Sequence, residues 1–382
     1  MGKKDAVIIS YYRWWDNRQS FFAEWLENKG YSLKYLSADY DHIQKDYCDI
    51  EQIPDYTKKI HVPSYNTNIS LSRIYSNYVF EKQVTKYLLR DKPQVVICLI
   101  PSNLLGLALY KYKRNNPNAI IIVDVLDLWP ESLPIDSRIK KVLTLPFSVW
   151  KNYRAKALKS ASLILLECDY YRSIIGSYLD KSYVKTLYLQ KSNGYTYPIK
   201  NLDDSICFVY IGSINSLIDI DRIVKILSRV NKYRRVIVKI IGCGSGEELF
   251  VESLEKNGIE TIFYGAVFNN EEKHAIYETC HFGLNIMKPT VAVGLTTKSM
   301  DYLESGIPLL NSIPHDTSIL INKYKAGFDL TVDDDDNVIK SLINLDNSDY
   351  QSMVKGASEL FNNEFTTSVF KERLNNYLNS VI

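Results

Sequence analysis

The stretch VGLTTKSMDYLESGIPLLNS, residues 293–312, contains residue types that a plain core helix does not need. Gly294 and two threonines precede Lys298, and Asp301 follows one turn later on the same face of the predicted helix. A threonine cap leaves free backbone N–H groups at the positive end of the helix dipole. A lysine in this first turn is unfavourable unless an anion is bound nearby. The pattern therefore suits a phosphate at the helix start and a ribose diol at Asp301.

A purely structural interpretation of the same stretch is also open. Lys298 and Asp301 would then form a solvated ion pair at an exposed helix end. The stretch alone does not separate this interpretation from a nucleoside diphosphate site.

Short apolar runs alternate with segments of helical periodicity along the chain, which predicts parallel sheets built from right-handed βαβ units. In the first half, strands are predicted at 6–10, 32–36, 94–100, 119–125 and 162–168, with helices at 17–29, 70–90, 103–115 and 137–159. In the second half, strands are predicted at 206–211, 236–241, 260–264, 282–287 and 308–312, with helices at 219–233, 247–257, 270–279 and 298–305.

A polar stretch at 192–205 interrupts the alternation and indicates two α/β domains. We predict a Rossmann-like domain at 1–195, a second at 196–360, and a C-terminal helix at 361–382 that packs back on the first. Ligands of parallel α/β sheets bind beyond the carboxyl ends of the strands. Two such doubly wound domains are therefore expected to face each other across a cleft.

The composition excludes several classes of function. Lysine and arginine exceed aspartate and glutamate by 46 − 44 = +2, so nucleic-acid binding is not favoured. The six cysteines form no CxxC pair, and several lie in apolar runs, which predicts buried free thiols and no zinc site. No signal peptide or spanning helix is apparent, so a cytoplasmic location is expected.

Four segments resemble the retaining family 4 glycosyltransferases, which have the two-Rossmann-domain GT-B fold. The stretch at 293–312 is similar to their donor-binding segment, and DLWPES at 127–132 resembles a motif of a subgroup that builds bacterial capsule, O-antigen and exopolysaccharide. The strand and glycine turn at 208–227 and the glycine-rich turn at 238–250 are similar to the opening of the family's second domain.

The resemblance implies transfer of a sugar from a nucleotide sugar, here expected to be a UDP-sugar, to a polyprenyl-diphosphate-linked saccharide. It implies front-face attack assisted by the donor phosphate, with no cofactor and no metal ion. No Asp-x-Asp motif occurs where a metal would be expected, and Asp333–Asp336 is interpreted as a solvated turn. The expected catalytic residues are Asp127, Lys288 and Lys298, and the expected donor-binding residues are Gly212, Ser213, Gly242, Gly294, Leu295, Thr296, Thr297 and Asp301.

Two departures from the family pattern favour an alternative. Val293 stands where the family has an acidic residue, and the segment after Gly212 lacks the usual arginine and lysine. Phosphate neutralisation then depends on Lys288 and Lys298. The alternative is a catalytically silent GT-B subunit that stabilises an active transferase.

Asp127 follows a predicted strand at the carboxyl end, where it can position the acceptor or accept its proton; the competing interpretation is a turn cap.

The aromatic loop at 10–15 is a candidate acceptor platform or an ordinary packed loop. The basic amphipathic segment at 137–159 is either a solvated crossover helix or a contact with anionic lipid at the inner membrane face. The oligomeric state is not predicted.

Overall fold

The computed structural model describes residues 4–12, 17–42, 44–47, 53–67, 70–133, 142–176, 183–192, 200–289 and 293–382. The chain divides into two compact units. Unit 1 comprises Met1–Glu167, Tyr171–Leu187 and Lys371–Ile382; unit 2 comprises Cys168–Tyr170 and Tyr188–Phe370. The chain thus changes unit near residues 187 and 370, whereas the sequence placed the changes at 195 and 360.

Unit 1 contains a seven-stranded parallel sheet in the order β5-β2-β1-β6-β7-β8-β9, with a small antiparallel pair, β3 and β4, beside it. The strands are β1 Asp5–Ser10, β2 Ser32–Ala38, β3 Tyr40–Asp41, β4 Asp46–Tyr47, β5 Thr57–Ile60, β6 Val95–Ile100, β7 Ile120–Val125, β8 Leu163–Leu166 and β9 Val184–Thr186. The helices are α1 Asn17–Asn28, α2 Leu71–Asp91, α3 Leu105–Asn115, α4 Thr144–Ser160 and α5 Tyr170–Ile175, the last starting in unit 2.

Unit 2 contains a six-stranded parallel sheet in the order β12-β11-β10-β13-β14-β15. The strands are β10 Ser205–Ile211, β11 Arg235–Ile241, β12 Glu260–Gly265, β13 Phe282–Asn285, β14 Leu309–Asn311 and β15 Gly327–Asp329. The helices are α6 Ile220–Asn231, α7 Glu247–Lys256, α8 Asn270–Tyr277, α9 Thr297–Glu304, α10 Asp316–Tyr324, α11 Asp335–Ile343, α12 Asn347–Glu364 and α13 Thr367–Asn379, which ends in unit 1.

The prediction of two doubly wound parallel α/β sheets is confirmed. Central strands such as β6 are buried along their whole length, as expected for a parallel sheet covered on both faces. Helix α6 shows the matching helical pattern, since Asp219 caps it and its apolar residues form one buried face.

Three expectations from the sequence need revision. The predicted C-terminal helical segment is broken into α12 and α13 at residues 365–366. The acidic run at 333–336 is the start of α11 rather than a turn: Asp334 caps the helix, and Asp335 pairs with Arg222 at 2.8 Å. Among the thiols that the structure describes, Cys243 is exposed and the others are buried.

Some predicted features lie outside the described residues. These include half of the aromatic loop, namely residues 13–15, and residues 137–141 of the basic segment. No described helix is long and apolar enough to cross a membrane.

Candidate functional site

The loops after β10 and β11 approach each other backbone to backbone at the carboxyl edge of the unit 2 sheet. The Ile214 N–H donates to the Cys243 carbonyl at 2.9 Å, and the Gly212 N–H donates to the Ile241 carbonyl at 2.9 Å. A Cβ atom at Gly242 would lie 2.0 Å from the Gly212 carbonyl oxygen, and Gly242 has a φ of 151°. Only glycine therefore fits at Gly242. The predicted residues Gly212, Ser213 and Gly242 all lie on this edge.

Helix α9 begins beside the end of β13. Thr296 is its N-cap, as its side chain accepts from the Ser299 N–H at 3.2 Å. The same hydroxyl donates to the Asn285 side chain at 3.1 Å, which fixes the helix start against the last residue of β13. Thr297 is the exposed first residue of the helix. Apart from the Ser299 N–H, which donates to Thr296, the first-turn N–H groups of α9 have no intrahelical acceptors and lie at the positive end of the helix dipole.

The ammonium of Lys298 lies over the Tyr210 ring, 4.9 Å from its centroid. It makes no hydrogen bond or ion pair with any residue in the described ranges. Burial lowers the pKa of Lys298 to about 8. A partly desolvated cation beside a helix N-terminus favours binding of an anion, since both features contribute positive charge.

Asp301 does not pair with Lys298, so the solvated-pair interpretation of this helix end is wrong. Instead its Oδ1 atom accepts a hydrogen bond from Lys191, which also bonds Glu304 at 2.8 Å. The Oδ2 atom of Asp301 has no hydrogen-bond partner among the described residues.

Gly294 is buried by the packing of its own chain. A Cβ atom there would lie 2.7 Å from Asp316 Oδ2 and 2.9 Å from both Cys168 Sγ and Tyr170 Cβ. Its carbonyl accepts from the Thr317 N–H at 2.9 Å. The absence of a side chain at Gly294 therefore serves close packing against Asp316, and the neighbouring Leu295 is only 9% exposed.

Lys288 is exposed and lies three residues beyond β13. Its N–H donates to the Leu217 carbonyl at 2.9 Å, so the loop after β10 and the segment after β13 are joined at the same edge. Two predicted cations, Lys288 and Lys298, thus follow the same strand. No described carboxylate forms an ion pair with either of them.

Asp127 lies in unit 1 and organises its own loop. Its carboxylate accepts from the Leu128 N–H at 2.7 Å, from Trp129 Nε1 at 2.7 Å and from the Ser132 hydroxyl. The structure thus gives Asp127 the turn-capping contacts that the sequence left open. Its predicted role toward an acceptor stays a prediction.

Glu131 of the same loop forms a two-pronged ion pair with Arg154, with both N–O distances at 2.8 Å. Burial raises the pKa of Glu131, but the Arg154 guanidinium outweighs this effect, and the net pKa lies below its usual range. Glu131 is therefore an ionised structural partner of α4, which does not suit a proton donor.

Arg73, which no sequence motif indicated, contacts this loop. The Arg73 guanidinium lies 4.3 Å from the centroid of the Trp129 ring and donates to the Tyr12 hydroxyl at 2.9 Å. Arg73 belongs to the first turn of α2, where Ser70 caps the helix. Tyr12, Arg73 and Trp129 form a cation–aromatic cluster in unit 1.

Solved structures share the architecture of the whole chain. The lipopolysaccharide outer core galactosyltransferase WaaB is 16% identical, with a TM-score of 0.67 over 99% of this chain and 100% of that chain. WaaG, a glycosyltransferase involved in lipopolysaccharide biosynthesis, is 12% identical, with a TM-score of 0.61 over 97% and 98%. Anabaena Alr3699/HepE in complex with UDP and glucose is 11% identical, with a TM-score of 0.63 over 99% and 100%.

The fold is that of the GT-B glycosyltransferases. At these identities the comparison establishes the fold alone. No protein-family model matches the sequence, and no curated protein matches it either.

Two residues near α9, Lys191 and Tyr210, could not be identified as site residues from the sequence. Lys191 lies 110 residues before Asp301 along the chain, in a polar segment that gave no sign of a partner. Tyr210 is an ordinary residue of a buried strand pattern until the structure places its ring beneath Lys298. Both contacts join distant segments, which periodicity cannot predict.

No group of three or more His, Cys, Asp or Glu side chains in the described ranges is placed to hold a metal ion.

Proposed function

We propose that this chain is a retaining glycosyltransferase that moves a sugar from a nucleotide sugar to a lipid-linked saccharide in bacterial surface polysaccharide assembly. The observation that carries the proposal is the Lys298 ammonium, which has no anionic partner among the described residues and adjoins the N-terminus of α9. Proteins of similar fold support it: WaaB is a galactosyltransferase, and HepE was solved with UDP and glucose.

The proposed chemistry is stabilisation of a leaving diphosphate. Cleavage of the anomeric C–O bond places negative charge on the nucleoside diphosphate, and a preorganised positive site lowers the energy of that transition state. Lys298 and the first-turn N–H groups of α9 supply this charge, and Lys288 adds an exposed cation. In the retaining mechanism that we propose, the acceptor hydroxyl attacks from the face that the diphosphate leaves, and the diphosphate receives its proton. The protein then needs neither a nucleophile nor a metal ion.

Asp127 and the cluster of Tyr12, Arg73 and Trp129 are proposed to position the acceptor in unit 1. Aromatic faces suit sugar rings, and a guanidinium suits the phosphate of a polyprenyl diphosphate. Asp127 acts mainly by holding the Trp129 side chain, since it accepts from Trp129 Nε1 at 2.7 Å.

A panel of UDP-, GDP-, dTDP- and CMP-sugars tests the donor assignment. Each is assayed for thermal stabilisation and slow donor hydrolysis on the wild-type chain and on Lys298→Ala. We expect one donor to stabilise and be hydrolysed by the wild type, with both effects lost in the variant. If no donor is hydrolysed by the wild type, the transferase proposal fails.

A catalytically silent GT-B subunit is the second candidate. Val293 replaces the acidic residue of the family pattern, and Lys191 occupies one oxygen of Asp301. This candidate predicts nucleotide binding without donor hydrolysis, and stable co-purification with an active transferase. The same panel therefore separates the two candidates.

Nucleotide binding should weaken as pH rises above about 8. The pKa of Lys298 is lowered to about 8 in the unliganded protein. Binding an anion raises that pKa, so each binding event takes up a proton above pH 8, and affinity should fall by up to about tenfold per pH unit. Calorimetric titration of UDP into the wild type and Lys298→Arg across this range measures the slope. Arginine does not titrate here, so a slope of equal size in the variant contradicts the assignment.

We also propose contact between unit 1 and an anionic membrane through α4. Leu145 and Val149 of α4 are 79% and 51% exposed, and Val142, just before the helix, is 82% exposed. Lys151 and Lys159 of the same helix are exposed as well. Exposed aliphatic side chains flanked by lysines match the pattern of a helix that lies in the membrane interface.

Replacing Leu145 and Val149 with glutamate should reduce binding to vesicles of phosphatidylglycerol by about tenfold or more, because apolar burial is lost and negative charge is added. Co-sedimentation with vesicles measures the change. Leu249→Glu in unit 2 is the matched control, since Leu249 is 60% exposed on another helix. If the wild type and the double variant bind the vesicles equally, the proposal that α4 contacts the membrane is wrong.

A further inference from the structure

Lys191 neutralises two carboxylates on one face of α9. Its ammonium bonds Asp301 Oδ1 and lies 2.8 Å from Glu304 Oε2. The three side chains are 29%, 20% and 11% exposed, so the cluster is largely shielded from water. Burial lowers the pKa of Lys191, but Asp301 and Glu304 outweigh this effect and raise the net pKa above its ordinary value. Lys191 is therefore charged at neutral pH.

The backbone around Lys191 is fixed, which gives its ammonium a defined position. The Lys191 N–H donates to the Phe365 carbonyl at 2.9 Å, and residue 191 pairs with Thr366 in an isolated parallel bridge. The Thr367 hydroxyl donates to the Gln190 side chain at 2.8 Å. Lys191 thus extends from an anchored segment, rather than from a free loop, to the carboxylates of α9.

We infer that Lys191 is a positioning residue for the donor: it holds Asp301 Oδ1, and this orients Asp301 Oδ2 to accept a hydrogen bond from a ribose hydroxyl. The inference rests on the proposed function, because it requires a ribonucleotide at α9. Without Lys191, Asp301 and Glu304 repel each other across one helical turn, and the Asp301 carboxylate loses its fixed orientation. Lys191 therefore sets the selectivity of the site for the ribose diol.

The test compares ligands with and without the diol. The probes are UDP and GDP, each with its 2′,3′-dideoxy form, and their dissociation constants are measured by calorimetry for the wild type and Lys191→Met. The wild type should bind the ribonucleotide about tenfold or more tightly than the dideoxy form, the range of a hydrogen bond to a charged group. In Lys191→Met, the ratio of the affinity for the ribonucleotide to the affinity for its dideoxy form should fall to near one. The affinity for the dideoxy form itself should change little.

Three further variants separate positioning from general stabilisation. Lys191→Arg should recover part of the ratio, because the guanidinium keeps the charge near Asp301. The double variant Lys191→Met/Glu304→Gln should lose the ratio while relieving the repulsion, so it covers the case in which Lys191→Met fails to fold. Lys371→Met removes the exposed Lys371–Glu24 pair of unit 1 and should keep the wild-type ratio.

The inference is overturned if the wild type does not discriminate between the ribonucleotide and its dideoxy form. It is also overturned if folded Lys191→Met, or the folded Lys191→Met/Glu304→Gln variant, keeps the wild-type affinity ratio or weakens both ligands equally. Those outcomes do not contradict the proposed function, because a nucleotide still binds and donor hydrolysis tests that function separately. If the wild type binds none of the nucleotides, both the proposed function and the inference fail.

Discussion

Replacing Lys298 with methionine should abolish sugar transfer and, at the same time, make the unliganded protein more stable. The pKa of Lys298 is lowered from 10.5 to about 8 by burial, so its charged form is disfavoured in the folded state. Because the folded-state pKa is below the unfolded one, the charge destabilises the protein below pH 8, and this penalty fades as pH rises toward 10.5. Its upper limit is about 3 kcal/mol. Methionine removes this penalty and also removes the proposed partner of the leaving diphosphate.

Two assays measure the expected loss of activity and the expected gain in stability. Donor turnover in Lys298→Met should fall by about a hundredfold or more, the scale of losing a charged contact to the developing diphosphate. Thermal unfolding at neutral pH should show a higher Tm than the wild type, and the difference should shrink at high pH. Lys340→Met is the control, because Lys340 is exposed on α11, and its loss should change neither quantity. Retained turnover, or a lower Tm, would contradict the role assigned to Lys298.

Replacing Gly242 with alanine should destabilise unit 2 by about 3 kcal/mol or more. The new Cβ atom would lie 2.0 Å from the Gly212 carbonyl oxygen, and a φ of 151° is unfavourable for any residue with a side chain. The obstructing atom belongs to the backbone, so no side-chain rotation relieves the overlap. The loops after β10 and β11 must then separate, and the carboxyl edge of the sheet beside α9 loses its shape.

Gly258→Ala is the matched control for this change. Gly258 also has a positive φ, 71°, but a Cβ atom there has nothing within 4 Å. Gly258→Ala should lower the free energy of unfolding by only about 1–2 kcal/mol, because alanine disfavours the left-handed conformation. Chemical denaturation of both variants gives the two free energies of unfolding. If Gly242→Ala is as stable as Gly258→Ala, the close approach of the two loops is not a requirement of the fold.

The architecture was predictable because it depends on local patterns. Buried parallel strands require continuous apolar runs, and the runs that became β1, β6 and β7 are visible in the sequence. The cap of α9 was predictable for the same reason: a threonine before an amphipathic run can bond its own first turn, and Thr296 does so. Short, partly exposed elements such as β15 carry too few residues to show a period.

The candidate site was only partly predictable, because its contacts join segments far apart in the chain. The residue types at Lys298 and Asp301 indicated their chemistry, but the sequence could not show that Lys191 pairs with Asp301 and leaves Lys298 without an anionic partner among the described residues. Gly294 illustrates the opposite case. Its residue type suggested close approach, and the structure shows that the approaching group is Asp316 of the chain itself.

We propose that the donor phosphate binds at Lys298 and the N-terminus of α9, and a crystal structure of the protein soaked with UDP and, separately, with GDP tests this site. We expect a phosphate oxygen within hydrogen-bond distance of Lys298 Nζ and the first-turn N–H groups of α9, with a ribose hydroxyl on Asp301 Oδ2. A nucleotide bound elsewhere, with Lys298 still stacked on Tyr210 and without an anion, would contradict it.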